Sequence, residues 1–331
     1  MEARMKTLLI SVAAVAWVSV GVAQAQDAGH DFPSRPITMI VPLPAGSAFD
    51  LTARLVAERM RVPLGQPVVV ENLTGASGSV GTGRCARATP DGSTLCFGGV
   101  GTHVLNGAML PITYDVLKDF EPVALLATAQ LLIVAKKAMP ADDLGQLIAW
   151  LKANPDAASQ GTGGTGSLTH LAGVSFGRET GTRFRSVPYR GAAAAITDLV
   201  AGHIDFMIDL APNSLPHVRA GAIKAYAVMA RTRLPAAPDV PTVDEAGLPA
   251  FYMSAWQALW APKGTPGAVI ARLNAAIVEA LAEPAVRARL AEIGQDAFPR
   301  EQQTPEALGQ WQKAEIAKLW PIIKSAAIKA E

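Results

Sequence analysis

The sequence predicts an α/β protein of two domains built on mostly parallel sheets, and three observations predict it. Strand-like and helix-like segments alternate along the chain, the pattern of strands that cross over through helices. The 331 residues exceed one domain of about 150, and half of them are apolar, enough for a packed core in each unit. The 29 Gly and 24 Pro punctuate short elements with turns.

The elements follow in order. Arg4 and Lys6 precede an apolar run from Leu8 to Val22 that ends in Ala23-Gln24-Ala25, so residues 1–25 are expected to be a cleaved signal peptide. The run is shorter than the roughly 20 residues of a spanning helix. Ile37 to Val41 is a β-branched strand that meets a breaker at Pro42-Leu43-Pro44-Ala45-Gly46. Ser47-Ala48-Phe49-Asp50 has capping-box spacing and should start a helix running to Arg61, with Leu51, Leu55 and Met60 inward. Val68 to Val70 reads as a second buried strand, and Gly75 to Gly81, with Ser77 and Gly78, leads into a second helix. After a Pro90-Asp91-Gly92 turn, Thr94 to Phe97 returns as a strand and runs into Gly98 to Thr102.

The second half repeats this order with new residues. Leu131 to Val134 is a strand, and Leu144 to Lys152 a helix closed by Asn154-Pro155. Thr162 to Ser167 precedes a helix from Leu168 to Glu179, and Val187-Pro188-Tyr189-Arg190-Gly191 opens a helix from Ala192 to Ala201 that Gly202 ends in a left-handed conformation. Strands Ile204 to Leu210 and Ala225 to Met229, a Pro-rich connection from Pro235 to Pro249, and helices Ala268 to Leu281 and Pro305 to Ile323 complete the chain.

Composition excludes some functions. With 29 Lys+Arg against 28 Asp+Glu, and a balance that becomes even once Glu2, Arg4 and Lys6 leave with the signal, the chain lacks the basic excess a nucleic-acid binder needs. Export places Cys85 and Cys96 where disulfides persist. Their spacing allows a small disulfide loop or a pair of buried thiols, and two cysteines in so large a domain lean toward thiols.

The recurrent feature is a Gly/Ser/Thr-rich loop between a strand and a helix: after Val41, before Val80, at Thr162 to Ser167 and at Tyr189 to Gly191. Each offers free backbone N–H groups and the positive end of a helix dipole, which suit a carboxylate or phosphate. Such loops lie at the carboxyl ends of strands, where α/β sheets bind ligands.

Other chemistries fit less well. Ser167, His170 and Asp209 supply the residue types of a serine hydrolase, but no Gly-x-Ser-x-Gly elbow occurs, and Ser167 reads as a helix cap. His30, His103, His170, His203 and His217 are scattered without zinc-site spacing. Gly75 to Gly81 lacks the order of a dinucleotide loop, and no Gly-Lys-Ser/Thr is present. Arg54 and Arg190 are the basic residues nearest the loops, Arg54 fitting a structural ion pair better than a ligand contact. Trp256, Trp260, Trp311 and Trp320 are expected to pack the lobe interface or the C-terminal helices.

Pro36-Ile37 through Pro44-Ala45-Gly46 to Asp50 and Arg54, Gly65 to Asn72 with Gly75 to Gly78, and Pro90 to Leu95 resemble the Bug family of periplasmic receptors of tripartite tricarboxylate transporters. The similarity continues through Gly164 to Leu171, Val187 to Gly191, Asp239 to Gly247 and Ala261 to Pro266, and so covers the mature chain. No single motif is diagnostic, but their order and spacing are specific. The resemblance implies a two-lobed Venus-flytrap fold, with residues 26–127 and 252–331 in one lobe and 128–251 in the other. It implies a receptor, not an enzyme, that closes on a small carboxylate without a cofactor or metal and hands it to the membrane subunits of a transporter; a receptor serving a sensor kinase is the variant. A monomer is expected.

Carried over by position, Pro44, Ala45, Gly46, Ser47, Ala48 and Phe49 form the ligand loop of lobe one, with Ser77, Gly78 and Thr102 near it. Thr162, Gly164, Thr165, Gly166, Ser167 and His170 grip from lobe two, and Tyr189, Arg190, Gly191, Ala192 and Asp209 line the remaining wall. One departure matters: the family's first loop carries a double Gly before its Asp-containing helix, whereas here Ser47, Ala48 and Phe49 follow Gly46. Side chains there narrow the site, and Phe49 adds apolar surface, which favours a ligand with an aromatic or aliphatic body.

Overall fold

The structure, a computed structural model, describes residues 32–325, so the expected signal peptide lies outside the described residues. In chain order the first half comprises β1 (Ile37–Val41), α1 (Ala48–Leu64), β2 (Val68–Asn72), α2 (Ser79–Ala86), β3 (Thr94–Gly99) and the short α3 (Asn106–Met109). A long strand, β4 (Phe120–Lys136), leads to α4 (Leu144–Ala153), β5 (Ser159–Thr162), α5 (Leu168–Thr180), β6 (Arg185–Pro188), α6 (Ala192–Ala201), β7 (Phe206–Leu210), α7 (Ala211–Arg219) and β8 (Ile223–Val228). The chain returns through β9 (Ser254–Pro262), α8 (Gly267–Ala282), α9 (Pro284–Glu292), β10 (Asp296–Ala297) and α10 (Pro305–Ser325).

Two α/β lobes share one continuous sheet, ordered β2-β1-β3-β9-β4-β7-β5-β6, with β8 and β10 also paired to β4. Pairing is parallel in the outer strands of each lobe and antiparallel where β9 and β4 join them. β4 belongs to both: residues up to Gln130 pair with β9, and from Leu131 onward the partners are β7 and β8. Two register shifts in its first half mark bulges, which bend a strand and raise its twist. Its central residues are almost all buried, as a strand covered on both faces requires.

Several expectations need correction. α1 buries Ala53, Val56, Ala57, Met60 and Leu64, a stripe at helical spacing, whereas Leu51 is 39% exposed because it stands about 200° around the helix from Ala53. β2 is an edge strand, only partly buried, with Val69 turned to solvent. The leaning toward free thiols is overturned: Cys85 on α2 and Cys96 on β3 form a disulfide, and both are buried. Packing of α2 against β3 brings the two side chains together, which spacing alone left open. Gly202 does end α6, at φ 83°, and the four tryptophans pack as expected around β9 and α10, with Trp256 and Trp260 donating to Glu315 and Gln312.

Candidate ligand-binding cleft

The carboxyl ends of β1, β3, β5 and β7 open on one cleft of about 460 Å³ between the lobes. Lobe one contributes Pro42, Leu43, Ser47 and Phe49 from the β1–α1 junction, Ser77, and Gly98 to Thr102 with Leu105, Asn106 and Met109. Lobe two contributes Gly163, Thr165 to Thr169, Ala192, Asp209, Leu210 and Asn213, and Ala255 lies between. No Lys, Arg or His is among these residues.

Helix starts dominate the walls. Ser47 caps α1, its Oγ accepting the Asp50 N–H, and Asp50 reaches back to accept the Gly46 N–H at 2.8 Å. Ser167 caps α5 in the same way, through the His170 N–H. Gly191, in the left-handed half of conformational space at φ 145°, precedes α6 without a side-chain cap. The first-turn N–H groups of a helix have no partner within it, and each of these three starts lies on the cleft wall, through Ser47 and Phe49, Ser167 to Thr169, and Ala192.

Electrostatics inside the cleft are spare. Burial works against ionisation of Asp50, yet hydrogen bonds from Arg54, Gly46 and Asn72 outweigh it and hold the carboxyl below its ordinary value. Arg54 is therefore committed to Asp50 and Asn72. Asp209 is fully buried, and desolvation pushes its pKa up although Asn213 and Ser214 donate to it.

The sequence-predicted residues divide. Ser47, Phe49, Ser77, Thr102, Thr165, Gly166, Ser167, Ala192 and Asp209 face the cleft. Pro44, Ala45 and Gly46 are exposed on the loop above it, while Gly78 is packed against Thr102 and Pro42. Ala48 contributes the first residue of α1. Thr162 is buried under its loop, and Gly164 takes φ 125° to turn it. His170 turns away: its Nδ1 accepts the Gly166 N–H at 3.1 Å, its ring lies in a separate surface hollow with Gly173 and Phe184, and burial lowers its pKa. Tyr189 donates to Asp198 at 2.6 Å, and burial together with that carboxylate raises its pKa to about 12. Arg190 is exposed, and Gly191 sits behind Ala192 at the start of α6.

The side chains of Ser167, His170 and Asp209 form no hydrogen-bonded relay among the described residues: Ser167 Oγ meets the His170 backbone N–H and the Thr169 hydroxyl, the His170 ring accepts the Gly166 N–H, and Asp209 accepts from Asn213 and Ser214. Likewise, no group of His, Cys, Asp and Glu suited to a metal occurs among the described residues. Sequence reasoning missed Leu105, Asn106, Met109, Leu210 and Asn213; the first three follow Thr102 at helical spacing, a signal that was available.

Such a cleft between two α/β lobes is that of a periplasmic solute-binding protein, and solved structures agree. MatC from Rhodopseudomonas palustris with bound malate matches at TM-score 0.75 and 38% identity, over 88% of this chain and all of that one. A second R. palustris protein, solved with adipate, matches at TM-score 0.78 and 32% identity over 90% and 99%. BugT from Bordetella pertussis is 37% identical over 282 residues, 85% of this chain and 86% of its own. The model of the tripartite tricarboxylate transporter family receptor matches residues 52–328, and the chain belongs to that family.

Proposed function

We propose that the protein is a periplasmic receptor for a small organic acid, which it delivers to the membrane subunits of a tripartite tricarboxylate transporter. One observation carries the reading: the starts of α1, α5 and α6 converge on a cleft that contains no basic side chain. A carboxylate there is held by backbone N–H groups and helix dipoles from both lobes, so its binding favours the closed pairing of residues 32–127 and 252–325 with 128–251. Malate and adipate in the related structures support the acid class.

The ligand's body is aliphatic or aromatic. Phe49, Leu105, Met109, Leu168 and Leu210 offer it apolar surface, and the Phe49 ring is fixed edge-on to Phe97 at 6.5 Å. A compact tricarboxylate would set further charges against this surface and against Asp209, with no cation to balance them.

The test is a thermal-shift panel on protein refolded to strip any carried ligand, using citrate, malate, adipate, hexanoate and benzoate. At a hundred times Kd a ligand adds about 2.7 kcal/mol. Shifts for adipate, hexanoate or benzoate above those for citrate are expected; citrate alone shifting the melt would overturn the apolar-body reading, and no shift at all would overturn the acid class.

A further inference from the structure

Thr102 lines the cleft and is followed by a histidine that is entirely buried, and the two share a hydrogen bond of 2.9 Å between Oγ1 and Nδ1. The histidine ring is locked: it stacks on Trp260 with centroids 3.7 Å apart and planes 2° from parallel, and the Phe120 ring abuts it edge-on at 4.8 Å. Its second nitrogen, Nε2, has no hydrogen-bond partner among the described residues. The segment is a π-helical turn, Gly101–Leu105, a form that is rare and concentrated at functional sites. Tyr114 donates to the Thr102 carbonyl and Gln312 to the His103 carbonyl, so the backbone of the turn is fixed as well.

The proton positions follow from counting donors. Thr102 Oγ1 accepts the Gly99 N–H at 3.3 Å. If the hydroxyl donated to Nδ1, the imidazole proton would sit on Nε2, an orphaned N–H buried among aromatic rings, which is the rarer and costlier defect. With the proton on Nδ1, only a lone pair is left unmatched. The Thr102 oxygen then receives two N–H groups, and its own hydrogen is the one bond it has left to make. Burial keeps the ring neutral, its pKa lowered to about 3, so the arrangement persists through the physiological range.

We propose that His103 is a positioning residue that presets the Thr102 hydroxyl as a hydrogen-bond donor to an acceptor oxygen of the ligand. The proposal rests on the acid-receptor reading above, and adds to it a side-chain donor on lobe one, opposite the α5 start. An oxygen that already accepts two N–H bonds is a more polarised donor, and it rejects ligand groups that must themselves donate at that point. Gly98 is part of the device, since a Cβ there would stand 2.3 Å from the histidine Nδ1.

Two measurements on the full mature chain test it. Nitrogen-15 NMR of the imidazole in ligand-free protein reads the tautomer directly: a protonated Nδ1 and a bare Nε2 are expected, and the reverse overturns the proposal whatever the ligand. Affinities for adipate, hexanoate and benzoate are then compared in Thr102→Val, Thr102→Ser, His103→Phe and the Thr102→Val/His103→Phe double variant. Thr102→Val should bind the best probe about 10- to 100-fold more weakly, and Thr102→Ser should restore most of it. His103→Phe retains a ring on Trp260 and should weaken binding severalfold, yet add nothing on top of Thr102→Val, because it acts through that hydroxyl. Wild-type affinity in Thr102→Val, or full additivity in the double variant, overturns the inference while leaving the receptor reading intact. Failure of every probe on the wild-type protein overturns both.

Discussion

Asn72 donates to Asp50 Oδ1 at 2.8 Å and to the Leu43 carbonyl at 3.0 Å, so the end of β2 holds both the start of α1 and the loop that forms one lip of the cleft. Asp50 is 1% exposed and also accepts from Gly46. Asp50→Asn keeps the shape but loses an acceptor and the charge, and should cost about 2–4 kcal/mol as charge-assisted bonds are lost. Urea unfolding at neutral pH measures it. Because the folded pKa of Asp50 is below 3.8, its contribution is complete above that value and fades as pH falls through the folded one; the variant should lack that part of the acid slope.

The disulfide closes a short loop, with a sequence separation of 11. Removing it by Cys85→Ala with Cys96→Ala should lower stability by about 3 kcal/mol on the chain-entropy account. Both sulfurs are buried, so a reductant should act on the native protein only through unfolding. Reduction as fast as in an unstructured peptide would contradict this burial.

Gly78 stands at φ 85°, and a Cβ there would lie 2.8 Å from Thr102 Cγ2 and 3.0 Å from the Pro42 carbonyl. Gly78→Ala therefore combines backbone strain with a clash against backbone, a destabilisation of about 1–3 kcal/mol or more. Melting temperature and ligand affinity should both fall. Gly247→Ala, also at positive φ but with open space around it, should lower the melting temperature by the strain alone.

Arg190 is the basic side chain that its place in the sequence puts closest to the site, yet it is exposed and apart from the residues facing the cleft. Arg190→Ala should leave ligand affinity unchanged, whereas Ser167→Ala should weaken it and also cost about 1 kcal/mol as the α5 cap is lost. Isothermal titration with the best acid of the panel separates the two.

Burial lowers the pKa values of His103 and His170, that of His103 to about 3. A histidine held neutral in the folded state contributes stability in full above 6.5, and that contribution declines as pH falls from 6.5 toward the folded value, since the unfolded chain takes up the proton first. Stability measured by urea should fall across that window, and less steeply in His103→Phe.

The sequence by itself determined the elements whose signals are local. Ser47 and Ser167 start helices because a hydroxyl before a helix accepts an otherwise unmatched N–H, and Gly202 stops one because only Gly takes its φ cheaply. The same locality exposed the loops at the cleft, since tight strand-to-helix turns need Gly and Ser. β9 escaped, as did the first half of β4: Ser254–Pro262 contains no β-branched residue, and burial on both faces removes the alternation by which strands are found. The α/β alternation carried the fold class, but the sharing of β4 between lobes came only from its change of partner after Gln130.

Tertiary structure alone decided which loop residues face the cleft. His170 and Tyr189 sit beside loops that line the cleft, yet Gly166 and Asp198 engage their polar atoms and neither side chain is among the cleft residues. Leu210 and Asn213 enter the cleft from elements that sequence spacing does not relate to it. The Cys85–Cys96 bond likewise followed from α2 lying on β3. Caps and turns are settled by contacts within a few residues, whereas the direction of a side chain in a cleft depends on partners brought from distant parts of the chain, and those exist only once the lobes have packed.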